Sequence, residues 1–305
     1  MSAPRNIYAV VVNWNGGTDM NRDCIESLVA EGITPERIVF VDNASTDGSL
    51  EEIRERYGRL VILENSANLG FGEAANQGAQ QALDAGADAV YFINNDLVLE
   101  PGSLARLVLF LSEYPDVGIC GPRVLDRQDP DRVWCAGGLL TWRENLSTLR
   151  GHKKLDGPLY QNLMEVDYIP GCALLMRAKV LWDIGGFDAA YFAYMEDVDL
   201  CVRAKKAGYK VVLVGEASCL HASSSSTGGG YNPRRKYMMG VNSIWFLKQH
   251  GGPLAWLRFL LFDVLSLPLL FLYGLSQGNA RAVLAKARGI FHGLRGRRVT
   301  AASVS

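Results

Sequence analysis

The sequence predicts an α/β protein built on a mostly parallel sheet with helices on both faces, followed by a helical C-terminal segment. Three observations carry this. Short β-branched and aromatic runs alternate with stretches whose apolar positions recur at helical spacing, the pattern of βαβ units. Each early run ends in a cluster of Asn, Asp and Gly, and open α/β sheets collect ligands beyond the carboxyl ends of their strands. After Asn232 the character changes, with eleven Lys and Arg against the single acid Asp263.

Ile7 to Asn13 is the first strand, ending in Asn13-Trp14-Asn15-Gly16-Gly17. The helix after it, from about Asp19 to Glu31, sets Cys24, Ile25, Leu28 and Val29 at helical spacing. Arg37 to Val41 is the second strand and Asp42 to Gly48 its loop; Ser49 is expected to cap a helix bearing Leu50, Ile53 and Tyr57. A third strand, Leu60 to Glu64, leads through Asn65 to Gly72 into a small-residue helix, Glu73 to Ala85. The rest converges on Ala89 to Leu99, whose first half reads as a buried strand and whose second sets Asn94, Asn95 and Asp96 at its end.

From Gly118 to Met176 no clean period holds, and the segment reads as irregular connections and strands of mixed direction, with a loop from 150 to 165. A helix over Lys179 to Ile184 is stopped by Gly185-Gly186. Another, Glu196 to Ala207, is closed by Gly208, with Lys205 and Lys206 in the last turn where the helix dipole favours them. A strand at Lys210 to Val214 follows, and Cys219-Leu220-His221 opens a Ser- and Gly-rich loop running to Gly230.

Arg234 to Gln249 reads as a helix. Leu254 to Leu275 is nearly all apolar but is interrupted by Arg258, Asp263 and Pro268. A spanning helix needs ~20 apolar residues, and a central charge costs roughly 2.5–3.5 kcal/mol on insertion scales. The two charges and the proline therefore favour a helical pair lying in the membrane interface. The acid-free tail beyond it adds six positive charges, and an apolar surface plus a polybasic segment suits an anionic leaflet. Burial of these helices in a homo-oligomer would explain the same apolarity. We divide the chain into residues 1–232, a catalytic domain with 20 Lys and Arg against 31 Asp and Glu, and a basic region, 233–305. The six scattered cysteines, without zinc spacing, read as reduced core thiols. The N-terminus leaves no room for a signal peptide. The expected location is peripheral, on the cytoplasmic face of the inner membrane.

In such a sheet four loops meet at one crevice: Asn13-Trp14-Asn15, Asp42-Asn43-Ala44, Asn68 to Gly72 with Asn76, and Asn94-Asn95-Asp96. An acid after the second strand suits ribose hydroxyls or a base edge, and Gly70 and Gly72 permit close backbone approach. Asp96, flanked by two amides, can hold a hard divalent cation of the kind that accompanies phosphates. Neither G-x-G-x-x-G after the first strand nor a P-loop is present, which sets aside dinucleotide oxidoreductases and P-loop phosphotransferases.

The segments Val10-Val-Val-Asn13-Trp-Asn, Val41-Asp-Asn-Ala-Ser-Thr-Asp47-Gly, Asn68-Leu-Gly-Phe-Gly, Asn94-Asn-Asp96, Gly185-Gly-Phe-Asp188 and Glu196-Asp197-Val-Asp199-Leu-Cys-Val-Arg203 resemble family 2 glycosyltransferases, in order, over about residues 6 to 250. More narrowly they resemble the rhamnosyltransferase-type members that build bacterial surface polysaccharides. The resemblance implies a GT-A fold, Rossmann-like, and inverting transfer from a nucleotide-diphosphate sugar (dTDP or UDP) with a divalent metal, Mn2+ or Mg2+. It implies that the donor is bound by Asn13, Asn15, Asp42, Asn43, Ala44, Asn68, Gly70, Phe71, Gly72, Asn76, Asn94 and Asn95. It places the catalytic base at Asp197, in the pair with Glu196, and metal ligands at Asp96 and His221. The family's usual D-x-D begins here with Asn94, leaving Asp96 as its one acidic ligand.

Arg234, Arg235 and Tyr237 are candidates for the diphosphate of the donor or of a lipid-linked acceptor, since a guanidinium fork suits phosphate. Trp134, Trp142 and Tyr194 are candidates for stacking on sugar. The absence of the Q-x-x-R-W signature of processive synthases implies a single addition. The expectation is transfer of L-rhamnose from dTDP-rhamnose onto a lipid-linked saccharide in cell-surface polysaccharide synthesis. The alternatives are a UDP-sugar-dependent galactofuranosyl or N-acetylhexosamine transferase, or a sugar-nucleotide-binding protein without transfer. A nucleic-acid partner for the tail is not expected.

Overall fold

A computed structural model of the protein describes residues 4–143, 145–222 and 231–304. Its N-terminal half follows the sequence pattern. Strands β1 (Ile7–Asn13), β2 (Ile38–Asp42), β3 (Val61–Glu64) and β4 (Ala89–Asn94) are parallel and lie in the order β3-β2-β1-β4. Their crossovers are helices α1 (Thr18–Ala30), α2 (Ser49–Arg56) and α3 (Phe71–Asp84). The strands are apolar throughout because both faces are covered: Val10, Val39 and Phe92 point into one core, Val11, Phe40 and Ile93 into the other. Register pairs Asn13 with Asp42 and Val12 with Asn94, so the polar ends of three strands arrive together. Ser49 does not cap α2. Gly48 takes that place in a left-handed conformation (φ 80°), and the Ser49 hydroxyl instead accepts from Asn13.

Beyond β4 the sheet becomes mixed, in the region where strands of mixed direction were expected. The Ala89–Leu99 stretch breaks at Asn95-Asp96, and β5 (Leu97–Leu99) takes a different partner from β4. There follow α4 (Ser103–Glu113), β6 (Val117–Asp126), β7 (Val133–Cys135), β8 (Gly138–Leu140), β9 (Ser147–Leu149), α5 (Pro158–Gln161), β10 (Leu163–Glu165), β11 (Ala173–Arg177), α6 (Ala178–Ile184), α7 (Glu196–Lys206) and β12 (Lys210–His221). β11 runs antiparallel between β4 and β6, and β12 is parallel to β6 but antiparallel to β5 and β10. The result is a ten-stranded mixed sheet. Short links such as β6 to β7 can join only antiparallel neighbours, because a parallel crossover needs a dozen or more residues.

β12 runs well past the predicted Val214, because a register shift between Val214 and Ser218 carries it on to His221. The 150–165 segment holds the one-turn helix α5 and is tied down by Arg123 to Asp156 and by Arg150 to the Leu159 carbonyl. Most of the Ser/Gly loop expected after His221, residues 223–230, lies outside the described residues. The six cysteines are buried and free.

The C-terminal region is helical: α8 (Pro233–His250), α9 (Pro253–Phe259), a π-helical turn (Leu260–Val264), α10 (Leu267–Ser276), α11 (Ala280–Leu294) and α12 (Ala301–Val304). Together Pro253–Ser276 form a 24-residue helix long and apolar enough to cross a membrane, with a mean hydropathy of 1.9 and little of it buried. α8 sends Ile244, Phe246 and Leu247 into the main core and crosses α11 closely at Gly240, Gly289 and Gly293. A Cβ on Gly289 would run into the Tyr237 carbonyl. Gly289→Val should therefore separate the two helices and lower stability by about 1–3 kcal/mol. Denaturant midpoints should register the loss, whereas Gly252→Ala, at a position with open space, should leave the midpoint in place.

Candidate active site

The first loop is organised by one amide. Asn13 is fully buried, and its Nδ2 donates to Asp42 Oδ1 (2.8 Å), Ser49 Oγ (2.9 Å) and Ser45 Oγ (3.0 Å). Its Oδ1 accepts from Asn95 (2.7 Å) and Asn21 (3.0 Å). Asn43, also buried, donates to Asn68 Oδ1 and the Gly70 carbonyl and accepts from the Leu69 N–H. Asn15 accepts from the Thr46 N–H, and both it and Ala44 take a left-handed backbone. Gly70, at φ 86°, sits against the Phe192 backbone, and Phe71 turns its ring onto Phe187 and Gly171.

The four loops predicted to converge therefore do so. Several of their amides, however, are committed to building the crevice. Both ends of the Asn76 amide bond the Phe187 backbone (2.9 and 2.8 Å), which ties it to the Gly185-Gly186 turn. Asn21, which sequence reasoning passed over, is a buried partner of Asn13, Asn95 and the Gly17 carbonyl. Its signal was available: a polar residue on the Cys24-Ile25-Leu28 face of α1.

Asp96, in the break between β4 and β5, meets His221 at the end of β12. The imidazole Nε2 lies 3.3 Å from Asp96 Oδ1, and both side chains are nearly buried. The edge of Trp134 packs on the His221 ring, and His221 Nδ1 is buried with no hydrogen-bond partner among the described residues. Among those residues no three His, Cys, Asp or Glu side chains gather as a metal cluster. One carboxylate and one imidazole are a sufficient protein contribution for Mn2+ or Mg2+ where substrate phosphates and water complete the shell. The pair fits such an ion.

Glu196 and Asp197 open α7. Asp197 accepts the Gly171 N–H at Oδ2 (2.9 Å) and the Val198 N–H at Oδ1 (2.8 Å). Burial raises both carboxyls above their ordinary range, and burial with the Asp197 charge pushes Glu196 up to about 8. The two N–H donors favour charge on Asp197, so of the pair it is Asp197 that ionises first and Glu196 that keeps a proton. The next residue along from Gly171 is Cys172, whose carbonyl accepts the Asn94 N–H (2.9 Å). Gly171-Cys172 thus ties the candidate base to Asn94, two residues before the candidate metal ligand Asp96.

The backbone entering α7 is strained. Phe192, Tyr194 and Met195 have φ of 58°, 70° and 77°, a region that bulky residues rarely occupy. A buried side chain from α8 over-determines it: Asn242 Nδ2 lies 2.8 Å from the carbonyls of Tyr191, Ala193 and Tyr194. Nothing in the α8 sequence marked Asn242, because its partners are backbone atoms some fifty residues away. Asp188 adds a second tie, accepting from Trp245 and Gln249 of α8. Asp199 is buried between Arg203 and His250, and Arg203 in turn holds the Ile184 and Gly186 carbonyls.

Arg235 stacks over Tyr194 at the mouth of this segment, and Arg234 is exposed. The Tyr237 hydroxyl lies 2.9 Å from His292 Nδ1 of α11. Trp142 packs on Phe246, inside the core contact.

A family model described as glycosyl transferase family 2 matches residues 8–185. The chain belongs to this family. This family 2 glycosyltransferase is 35% identical over 273 residues to the N-acetylglucosaminyl-diphospho-decaprenol L-rhamnosyltransferase of Mycobacterium tuberculosis, covering 81% of this chain and 87% of that one. It is 25% identical over 224 residues to rhamnosyltransferase WbbL of Escherichia coli, covering 70% and 83% of the two chains. In fold it matches a mannosyltransferase from Pyrobaculum calidifontis solved with GDP-Man and Mn2+, at a TM-score of 0.61, 14% identity, and 97% and 89% coverage. Its mixed sheet is the GT-A arrangement.

Two measurements test the site. Asn242→Leu should lower kcat by about tenfold or more while changing the donor KM little, since the strained segment positions the base. Glu196 tests the charge assignment. Its folded value near 8 lies above the ordinary 4.5, so its contribution to stability is complete below the ordinary value and is lost as pH rises through 8. Glu196→Gln should melt close to wild type at about pH 4 and above it at about pH 9.

Proposed function

We propose that the chain transfers L-rhamnose from dTDP-rhamnose to a prenyl-diphosphate-linked saccharide at a membrane surface, with inversion. The observation that supports the chemistry is that Gly171-Cys172 bonds Asp197 through the Gly171 N–H and, through the Cys172 carbonyl, Asn94, two residues before the Asp96 that meets His221. The sugar and the acceptor are supported by the likeness to the mycobacterial enzyme, whose name specifies both.

Inverting transfer is an in-line displacement at the anomeric carbon. Asp197 takes the proton of the acceptor hydroxyl as its oxygen attacks, and the bond to the nucleoside diphosphate breaks with its electron pair leaving on the phosphate. A positioned general base of this kind contributes roughly 10²–10⁴-fold. Glu196, protonated beside it, keeps a second negative charge away from the pair at neutral pH. Asp96 and His221 would hold the divalent cation, which when bound neutralises charge on the leaving diphosphate. Asp42, Asn15, Asn43, Ala44, Asn68, Gly70, Phe71, Gly72, Asn94 and Asn95 shape the donor crevice, with Asn13 beneath them. Arg234 and Arg235 stand at the acceptor side, Arg235 fixed on Tyr194.

Residues 1–232 carry the chemistry in this reading, and 233–305 the membrane contact, on the cytoplasmic face. Leu257, Leu261, Leu265, Leu269 and Leu272 are exposed along the apolar helices, and Arg258, Arg281, Arg288 and Arg295 are exposed beside them. An apolar face with basic neighbours suits an anionic leaflet.

Asp197→Asn should cut transfer by about 10³-fold or more and leave donor binding intact. Calorimetry with Mn2+ and a panel of dTDP- and UDP-sugars should rank dTDP-rhamnose first, and Asp96→Ala or His221→Ala should remove the metal dependence. A UDP-sugar ranked first would turn the assignment to a galactofuranosyl or N-acetylhexosamine transferase. Leu261→Asp with Leu269→Asp should abolish sedimentation with anionic vesicles and keep donor binding.

A further inference from the structure

A single β-hairpin connects the apolar helices to both halves of the site. β8 and β9 pair from Gly138–Leu149 to Leu140–Ser147. The pairing continues through Ala136 and Arg150 to Val133 and Lys154. At the open end Trp134 packs its edge on His221. Midway, Gly138 exchanges backbone hydrogen bonds with Asp167 and Tyr168, a few residues before Gly171 and its bond to Asp197. At the closed end Trp142, Asn145 and Leu146 take left-handed backbones (φ 58°, 56° and 62°).

That closed end is seized by two charged groups from the C-terminal region. Asp263, in the π-helical turn, accepts the Asn145 N–H (3.0 Å), and Lys286, from α11, donates to Asn145 Oδ1 (3.0 Å). The two form an ion pair with each other, 0% and 2% exposed. Arg143 lies over the ring of Phe262, the residue before Asp263. A buried ion pair is weak evidence for stability, since well-packed apolar residues of similar volume often hold helices together as well or better. What the pair does that apolar residues cannot is bond the amide groups of a strained turn. It also accounts for the single acid of the region, and for the π-helical turn that aims it inward.

We infer that Asp263 and Lys286 are positioning residues for a membrane-borne acceptor: through Asn145 they lock the hairpin to the membrane-facing helices and so hold Asp197 and His221 at a set height above the lipid surface. This rests on the membrane reading of the C-terminal region proposed above. A lipid-linked acceptor presents its hydroxyl at a height fixed by its own length, so the enzyme's height matters for it. A soluble acceptor adjusts its own position.

The test uses the full chain with dTDP-rhamnose and two acceptors. One is a long-chain prenyl-diphosphate-linked N-acetylglucosamine in phosphatidylethanolamine–phosphatidylglycerol vesicles; the other is a short-prenyl, water-soluble analogue. The double variant Asp263→Leu/Lys286→Met keeps the helices packed through apolar contact, and Asn145→Ala leaves the ion pair itself intact. With either variant kcat/KM for the vesicle acceptor should fall about tenfold or more, with the soluble acceptor and the donor KM within about twofold of wild type. Equal losses on both acceptors, or no loss on the vesicle acceptor, would overturn the positioning role and reduce the pair to part of the fold. Wild-type protein that does not sediment with the vesicles overturns the membrane reading, and the positioning role with it. Wild type that sediments, with variants equally active on both acceptors, overturns the positioning role alone.

Discussion

Everything at the donor side depends on a buried amide having its hydrogen bonds made. Asn13 ends β1 with no contact with water, and each unmet bond of such a group costs about 1–3 kcal/mol. Its partners come from the loops after β1, β2 and β4 and from α1, so satisfying it fixes the relative positions of the segments that line the crevice. Asn43 repeats the device one strand over, coupling the loop after β2 to the Asn68–Gly70 turn. The crevice is thus preformed by polar groups that largely face one another, leaving backbone N–H groups and the exposed Asn15 toward the opening.

The start of α7 solves a different problem, and in the function proposed above it must keep a carboxylate half-buried and charged beside another acid. Two backbone N–H donors direct the charge to Asp197, and burial keeps the proton on Glu196. The entry to α7 then has to turn sharply enough to bring both side chains inward, and three bulky residues with positive φ achieve this. Such a conformation persists only where the surroundings over-determine it. Asn242 does so from behind, and the Phe71 N–H, bonded to the Phe192 carbonyl (2.7 Å), does so from the donor side. Donor crevice and base are therefore mechanically continuous.

The C-terminal helices belong to that continuity as well. α8 supplies Asn242 and part of the main core, α11 packs on α8 across glycines, and Asp263 and Lys286 reach back to the hairpin beside the site. Along those helices Leu257, Leu261, Leu265, Leu269 and Leu272 are exposed, as are Arg258, Arg281, Arg288 and Arg295.

The sequence by itself determined the parallel half of the sheet, the helices around it and the convergence of four polar loops. Those follow from local rules, the period of apolar residues and the turn chemistry after strands, whereas the joint assignment of Asp96 and His221 was implied by the family resemblance. The tertiary structure alone decided three things. β11 inserts antiparallel between β4 and β6, because pairing direction depends on connections that carry no period. Asn76 bonds the Phe187 backbone and Tyr237 meets His292, because a side chain's partners are set by what packs against its helix. Asn242 and the Asp263–Lys286 pair gain their roles from backbone atoms far along the chain, and a hydrogen bond to a carbonyl leaves no trace in the identity of the residue that offers it.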